Sequence, residues 1–322
     1  MRISIIGGAG FVGAHLVPAL LGQRHQIQVY DNLFSRGQRA DLSWRSDVRF
    51  AHADITDGRR LQAELSDFDP EVIFHLAALH YIPYCDRHPE EVMRVNVEGT
   101  LQVMLAAKKA PALKGLVFAS SVAVYAGDDI VHRESDVPRP SDIYGLTKLL
   151  GEQVVEQYAQ ELKASHLSLR LANIYGAGET NPHVIPEVLQ QLLSGCETLH
   201  LGCTDRCRDF LYIDDLVEAL VAAIPVAASQ NLHETVNVGP GREWAVRDAI
   251  DILCQLSGKR VQVIRDSGRV RQGERMHLRV HIERACQLLS WEPKHDLHAG
   301  LKKTFAYEQA RHNLSSAAAS GA

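Results

Sequence analysis

Short apolar segments alternate with amphipathic ones along the first half of the chain. The pattern predicts strands near residues 3–6, 26–30, 48–51, 71–76, 115–119 and 167–171. Helices are predicted between them, and the longest span residues 90–110 and 143–162. Strands that alternate with helices favour a parallel sheet covered by helices on both faces. We therefore expect an α/β fold built on a doubly wound parallel sheet.

A glycine-rich turn joins the first predicted strand to the first helix. Gly7, Gly10 and Gly13 give the spacing Gly-x-x-Gly-x-x-Gly. Such glycines allow a tight turn and close approach of the backbone to a pyrophosphate, which the helix N-terminus also attracts. Asp31 ends the next strand, where a carboxylate binds both hydroxyls of the adenosine ribose. This favours NAD over NADP, although Arg36 and Arg39 leave NADP open.

Several candidate ligand-binding residues follow directly after predicted strands. They are Gly7, Asp31, Asp54, Ala77 and Ser121. Ligands of open parallel sheets bind outside the carboxyl ends of the strands, so these residues should face one crevice. The small side chains of Ala77 and Ala78 would let a cofactor lie against the backbone. Together these features predict a Rossmann-type dinucleotide site.

Tyr144 and Lys148 lie four residues apart in the predicted helix 143–162, and therefore on one face of it. A nearby cation lowers the pKa of a phenol from its ordinary value of about 10. The pair could thus make Tyr144 a proton carrier near neutral pH. The same spacing also occurs where a solvated lysine lies beside a half-buried tyrosine, so its meaning depends on the surrounding site.

Composition and charge argue against several classes of protein. The chain has 322 residues, 46% hydrophobic and 23% charged, which is ordinary for one large or two modest globular domains. Its net charge of -5 argues against a nucleic-acid partner. We expect no membrane span and no secretory signal. Cys203 and Cys207 lack partners at zinc-ligand spacing, so we expect a cytoplasmic protein with reduced thiols and no metal.

In combination, these motifs resemble those of the extended short-chain dehydrogenases/reductases, in the NAD-dependent sugar-nucleotide epimerase/dehydratase family. The sequence is most similar to UDP-glucose 4-epimerase and its relatives, over roughly residues 1–305. The motifs that carry the resemblance occupy residues 7–13, 75–78, 96–100, 120–125, 144–148, 170–176, 208–215 and 237–239.

The resemblance implies a tightly bound NAD and a catalytic group of three residues. Tyr144 would be the acid/base, Lys148 would hold the nicotinamide ribose and lower the pKa of Tyr144, and Ser121 would hydrogen-bond the reacting hydroxyl. The predicted cofactor-binding residues are Gly7, Gly10, Phe11, Val12, Gly13, Asp31, Asn32, Asp54, Ile55, Leu76, Ala77, Ala78, Asn96, Tyr144 and Lys148.

The resemblance also implies a nucleotide-sugar substrate, and we expect that substrate to be UDP-linked. The predicted substrate-binding residues are His80, Ser121, Tyr144, Asn173, Arg208, Arg271 and Glu274. Guanidinium groups suit a diphosphate, which Arg208 and Arg271 would bind, with Arg269 as the rival of Arg271. Each arginine could instead be an ordinary surface charge.

The segment 79–89 departs from the family pattern. It carries two prolines, which would stiffen a loop, and two tyrosines, Tyr81 and Tyr84, either of which could stack on a sugar. His80 could contact the cofactor or substrate hydroxyls. The alternative is a loop that packs under its own side chains.

The predicted domain division follows from the loss of strict alternation after Gly176. Residues 1–175, with a returning segment near 208–238, would form the Rossmann domain. Residues 176–207 and 239–314 would form a smaller C-terminal α/β lobe that binds the substrate. The Ser/Ala/Gly-rich tail 315–322 is expected to be disordered. The family also implies a homodimer, formed by pairing the helices near 90–110 and 143–162.

The predicted reaction is epimerisation at C4 of a UDP-hexose through a transient 4-keto intermediate. Val122 and Ala123 follow Ser121 at the place where family 4,6-dehydratases carry Asp-Glu, and alkyl groups cannot perform acid/base chemistry. A ketoreductase, a dehydrogenase or a less usual dehydratase remains an alternative. A catalytically silent NAD-sensing protein is the third hypothesis, which the intact catalytic residues disfavour.

Overall fold

The computed structural model describes residues 1–34, 42–179, 181–229, 232–266, 268 and 276–320. Arg271 and Glu274, predicted to bind substrate, lie outside the described residues, as do Arg36, Arg39 and Arg269.

The strands of the described residues are β1 (Arg2–Ile6), β2 (Gln26–Asp31), β3 (Arg49–His52), β4 (Val72–His75), β5 (Gly115–Ser121), β6 (Val131–His132), β7 (Ser165–Leu171), β8 (Asn173–Tyr175), β9 (Thr198–Leu201), β10 (Cys207–Arg208), β11 (Phe210–Tyr212), β12 (His233–Val238), β13 (Trp244–Ala245), β14 (Gln262–Arg265) and β15 (Arg279–Val280). The α-helices are α1 (Phe11–Gly22), α2 (Gly58–Phe68), α3 (Ile82–Arg87), α4 (Pro89–Met93), α5 (Gly99–Ala107), α6 (Ile143–Leu162), α7 (Val184–Leu193), α8 (Ile213–Ala227), α9 (Val246–Ser257), α10 (Glu283–Leu289) and α11 (Leu297–Ser320).

A seven-stranded sheet with the order β12-β7-β5-β4-β1-β2-β3 forms the centre of the molecule, and every neighbouring pair is parallel. All residues of β4, β5 and β7 are buried. Parallel strands covered on both faces read as continuous apolar runs, which is why these segments carry so few charges. The predicted doubly wound α/β fold is confirmed.

Successive residues along each strand pack into two separate layers, because side chains alternate across a sheet. Ile5 and Phe74 pack with the helices α1 and α8, whereas Ile6 and Ile73 pack with α2, α5 and α6. The helix α6, which carries Tyr144 and Lys148, is thereby held against one face of the sheet. Its N-terminus lies at the end of β5.

The predicted helix 90–110 is present as one helical run over residues 89–107, and this run contains a π turn. The run consists of α4, a π-helical turn from Arg94 to Glu98, and α5. Such π turns frequently occur at functional sites, and this one contains Asn96. The preceding segment, expected to be a stiff loop, instead forms the short helix α3, with Pro83 in its first turn, where a proline is tolerated.

The C-terminal part adds small sheets and helices beside the large sheet. The pairs are β6 with β15, β8 with β11, β9 with β14, and β10 with β13. The tail expected to be disordered continues α11 as far as Ser320. Alanine is the best helix former, so this Ala-rich segment extends the helix that precedes it. The domain boundaries remain a prediction. None of the helices in the described ranges has the length and apolar character that crossing a bilayer requires.

Candidate active site

The glycine turn between β1 and α1 has two different roles. Gly7 adopts a φ of 84°, and a Cβ there would lie 2.4 Å from the backbone nitrogen of Ala77. A Cβ on Gly13 would lie 2.3 Å from the carbonyl oxygen of Gly8. Both glycines therefore allow backbone segments to pack together. A Cβ on Gly10 would meet only the Gly7 oxygen, at 3.5 Å, so Gly10 keeps open space free in the crevice.

The N-terminus of α1 opens beside this space. Its cap residue is Gly10, and no side chain of the described residues caps the first N–H groups of the helix. These groups and the positive end of the helix dipole attract a phosphate group. The turn therefore fits the pyrophosphate of a dinucleotide such as NAD.

Asp31 lies on the wall of the same crevice. Its Oδ2 accepts a hydrogen bond from the Ala9 N–H at 2.9 Å, and its Oδ1 accepts one from the Leu33 N–H at 2.6 Å. Burial raises the pKa of this carboxyl, while the two backbone donors oppose that effect. A carboxylate has about four acceptor positions, so Asp31 can still accept hydrogen bonds from a ribose diol.

Asp54 and Asn32 extend this wall. The Asn32 amide donates to Asp54 Oδ2 at 2.7 Å, and the Thr56 hydroxyl donates to Oδ1 at 2.6 Å. Burial acts to raise the pKa of Asp54, but the hydrogen bonds from Thr56 and Asn32 outweigh it and hold the pKa below its usual value. Asp54 therefore stays ionised and fixed in position.

One cavity of about 1070 Å³ connects these groups with the predicted catalytic residues. Its volume slightly exceeds the range typical of ligand pockets, roughly 300–1000 Å³. The predicted site residues on its wall are Gly7, Gly10, Phe11, Val12, Asp31, Asn32, Asp54, Ile55, Leu76, Ala77, Ala78, His80, Ser121, Tyr144, Lys148, Asn173 and Arg208. The crevice expected at the strand ends is therefore present.

Asn96, predicted to bind the cofactor, is buried behind the cavity wall. Its Oδ1 accepts from the Leu79 N–H at 2.8 Å, and its Nδ2 donates to the Leu79 carbonyl at 2.9 Å and to Thr147 Oγ1 at 3.0 Å. The π turn points this side chain inward. Asn96 thus positions the backbone that follows β4 and ties it to α6, and Gly13 is likewise a packing residue.

A close backbone contact that the sequence does not mark brings Tyr144 towards Ser121. A Cβ on Gly145 would lie 2.2 Å from the carbonyl oxygen of Ala123, in the turn directly after Ser121. Only glycine lets α6 approach this turn so closely. The Asp142 carboxylate caps the helix by accepting from the Gly145 N–H at 2.7 Å. The cap and the glycine fix the first turn of α6, which carries Tyr144, against the end of β5.

Lys148 lies one helical turn further on and is almost fully buried. Its Nζ donates to the Ala119 carbonyl at 2.7 Å and lies 5.9 Å from the centre of the Tyr144 ring. Burial lowers the pKa of Lys148 to about 8, against the opposing influence of Glu152. The ammonium is therefore still the main form at pH 7, close to the phenol that it is expected to influence.

A buried ionic network supports the catalytic end of β5 from behind. Glu152, one turn beyond Lys148, accepts from Arg170 Nε at 2.9 Å and from Arg170 Nη2 at 2.8 Å, and also from the Ser120 hydroxyl. Arg170 also donates to the Tyr125 hydroxyl at 2.8 Å. Glu152 repeats the four-residue spacing of Tyr144 and Lys148, and this was the available sequence signal.

The unusual segment after β4 forms another part of the wall. His80 Nε2 lies 2.8 Å from the Asn181 amide nitrogen, and burial lowers the pKa of His80 to about 4, so it is neutral at pH 7. Tyr81 faces His183, which is hydrogen-bonded to Glu179, and all three line the cavity. Tyr84 is instead turned away and donates to Glu91 at 2.6 Å. Of the two tyrosines, only Tyr81 is placed to contact a ligand in this cavity.

Two further predicted substrate residues lie on strands that return to the site. Asn173 begins β8, and Arg208 ends β10 and donates to the Cys207 carbonyl at 2.7 Å. Arg206, which the sequence analysis did not select, also lines the cavity and is buried. Two guanidinium groups on this wall suit an anionic ligand such as a diphosphate.

Comparison with known proteins shows the family. The family described as "NAD dependent epimerase/dehydratase family" matches residues 3–239. A UDP-glucose 4-epimerase from Mycolicibacterium smegmatis is 32% identical over 317 residues, which are 95% of this chain and 98% of the relative.

Two solved structures are similar along their whole length. The UDP-glucose 4-epimerase of Thermotoga maritima, solved with UDP-glucose, has a TM-score of 0.85 and 28% identity, and the match covers 97% of this chain and 99% of that one. The UDP-glucuronic acid 4-epimerase of Bacillus cereus, solved with UDP-glucuronic acid and NAD, has a TM-score of 0.87 and 26% identity. That match covers 97% of this chain and 100% of the other. The resemblance inferred from the motifs is confirmed, and the chain belongs to the NAD-dependent epimerase/dehydratase family.

Proposed function

We propose that this chain is an NAD-dependent epimerase that inverts C4 of a UDP-linked hexose. The observation that carries the proposal is the meeting of Ser121, Tyr144 and Lys148 on the wall of one cavity that also contains the glycine turn and Asp31. NAD, when bound, supplies the acceptor and donor of the hydride. The protein supplies the proton transfer and the positioning.

Each catalytic side chain has a separate task. Tyr144 takes the proton of the sugar hydroxyl at its phenol oxygen and later returns it. The Lys148 ammonium, 5.9 Å from the ring centre, favours the phenolate. The Ser121 hydroxyl, fixed by the Ala123 N–H at 3.1 Å, can hydrogen-bond the same sugar oxygen. Proton transfer of this kind contributes about 10²–10⁴-fold to a rate.

The residues directly after Ser121 favour epimerisation over 4,6-elimination. Val122 and Ala123 form a short helical turn beside the catalytic group and carry no acid or base. An elimination also needs a group that protonates the leaving oxygen. Glu179 and His183 form a hydrogen-bonded acid/base pair on the cavity wall. Because of this pair, a dehydratase stays the second candidate.

The test is product analysis with a panel of substrates. Purified protein is incubated separately with both C4 epimers of UDP-glucose, of UDP-N-acetylglucosamine and of UDP-glucuronic acid, and proton NMR follows each sugar while absorbance follows NADH. We expect one C4-epimer pair to reach the same equilibrium from either side, without added cofactor and without accumulation of NADH. A 4-keto-6-deoxy product would identify a dehydratase. Net release of NADH, or no turnover of any substrate, would contradict the proposal.

We further propose that two copies pair through α5 and α6. Four partly exposed leucines belong to none of the core clusters of the described residues: Leu101 and Leu105 on α5, and Leu146 and Leu150 on α6. In each helix the two leucines are four residues apart and so share a face.

Sedimentation of the wild type and of two variants tests this pairing. Leu150→Glu is expected to give a monomer. Leu314→Glu, on the exposed side of α11, is the control and should stay a dimer. A monomeric wild type at micromolar concentration would refute the dimer.

A further inference from the structure

A second cluster of reactive side chains lies in the C-terminal part, formed by residues far apart in the sequence. The ligand atoms of Cys207, Glu243 and His277 all lie within 4.8 Å of one another. His277 Nδ1 is 2.9 Å from Glu243 Oε1 and 3.9 Å from a carboxylate oxygen of Asp129. None of these residues has a role in the proposed reaction.

The geometry suits a small, borderline-soft cation. Zinc binds cysteine sulfur at about 2.3 Å and histidine nitrogen or carboxylate oxygen at about 2.0–2.2 Å, so its ligands lie roughly 3.3–3.8 Å apart. The three atoms reach that separation by side-chain adjustments of less than about 1 Å. A thiol and an imidazole select zinc over magnesium or calcium, which take oxygen ligands. Asp129 or water can complete a tetrahedral set.

The hydrogen bonding and charge of the cluster also favour a bound cation. Glu243 Oε2 is buried and has no hydrogen-bond partner within the described part of the protein. Asp129 supplies a second carboxylate. Arg279 opposes a cation, with its Nε 3.5 Å from Glu243 Oε1, but its Nη2 is already engaged by Asp129 at 3.2 Å. Among the residues that the structure describes, no donor reaches this oxygen of Glu243, which leaves it available to a cation.

The cluster joins three segments that contribute to the cavity wall. Cys207 directly precedes Arg208 in β10, and Glu243 directly precedes β13, its antiparallel partner. His277 directly precedes Leu278, which also lines the cavity. A bound ion would therefore fix the backbone on both sides of the wall that carries Arg208.

We propose that Cys207, Glu243 and His277 form a zinc-binding site that clamps these three segments. The ligands are 36 and 34 residues apart in the chain, so no short motif marks the site. This explains why the sequence, searched for close cysteine and histidine pairs, predicted no metal. The site is separate from the glycine turn and from Tyr144, and the proposal does not depend on the reaction assigned to them.

Two measurements on tag-free protein test the site directly. In the first, Co²⁺ is titrated as a spectroscopic substitute for Zn²⁺, and we expect one equivalent to give a thiolate-to-cobalt charge-transfer band that Zn²⁺ then abolishes. Cys207→Ser should lose the band, and His277→Gln should weaken Co²⁺ binding by more than about 100-fold. Cys196→Ser, which changes an exposed cysteine outside the cluster, is the matched control and should keep it.

The second measurement needs no variant, so it does not depend on how a variant folds. Alkylation of the wild type is followed by peptide mass spectrometry with and without Zn²⁺, and Cys196 serves as the internal control. We expect Zn²⁺ to slow modification of Cys207 at least 10-fold and to leave Cys196 unchanged, because a metal-bound thiolate is a poorer nucleophile. Equal rates at Cys207 with and without Zn²⁺, or a wild type that gives no thiolate band with Co²⁺, would overturn the proposal.

Discussion

The buried ammonium of Lys148 gives a prediction whose sign and size both follow from the structure. In the folded protein its pKa is lowered from 10.5 to about 8, chiefly because burial removes the charge from water. Each pH unit of displacement corresponds to about 1.36 kcal/mol, so the lowering represents about 3 kcal/mol. Lys148→Met removes the charge while keeping a side chain of similar length.

The sign follows from the number of protons bound in each state. In the unfolded chain the lysine keeps its proton up to pH 10.5, whereas the folded protein releases it near pH 8. Between these values the unfolded state binds more protons, so the free energy of unfolding rises with pH. The free energy of unfolding of the wild type should therefore rise by about 3 kcal/mol relative to that of Lys148→Met between pH 7 and pH 10.5.

Urea unfolding of both proteins, stripped of NAD, measures this difference. For the stability comparison at pH 7, 8, 9 and 10 both proteins also carry Tyr144→Phe, because the titration of Tyr144 depends on Lys148; ionisable groups remote from Lys148 are common to both and cancel. Lys148→Met alone should also lose at least about 10²-fold in turnover, since the phenol of Tyr144 no longer has a cation beside it. A stability difference that stays constant over this pH range would refute the account of Lys148.

Three other changes test the remaining parts of the site. Gly10→Ala should fold normally but retain about tenfold less NAD. Gly7→Ala should instead lower the free energy of unfolding by about 2 kcal/mol or more through backbone strain. Equal NAD content and equal melting temperatures in the two variants would contradict this. Asp31→Ser should weaken the binding of NAD by about 10–100-fold and the binding of NADP far less, because a charged hydrogen bond is worth about 1.5–3 kcal/mol. Fluorescence titration with each cofactor shows whether the preference for NAD is lost. Glu152→Gln should lower the free energy of unfolding by about 3–5 kcal/mol, because the buried guanidinium of Arg170 loses its counter-ion; chemical unfolding indistinguishable from wild type would exclude that role.

The crevice was predictable from the sequence because its position depends on signals within short stretches of chain. Apolar strands and glycine spacing placed Gly7, Asp31 and Ser121 at strand ends, and parallel topology brings such ends together. Helix periodicity placed Tyr144 and Lys148 on one face. These arguments need only short stretches of chain and the rule that ligands of parallel sheets bind at the carboxyl edge.

Features that depend on contacts between distant segments were not predictable in this way. The inward turn of Asn96 follows from a π turn that its own sequence does not mark. The need for a glycine at position 145 follows from the close approach of the Ala123 backbone, which only the folded chain shows. The pairing of Arg170 with Glu152, and the meeting of His80 with Asn181, likewise require the folded chain.

The central claim is that Tyr144 carries the proton during turnover of a nucleotide sugar. The most direct measurement is the steady-state turnover of the accepted UDP-hexose by Tyr144→Phe, with Tyr158→Phe as the control. Tyr158 lies on the same helix, half-buried beside Lys108 and outside the cavity lining. We predict that Tyr144→Phe retains NAD and a normal fold but loses about 10²–10⁴-fold in turnover, while Tyr158→Phe matches the wild type. A Tyr144→Phe protein that turns over at the wild-type rate would contradict the account.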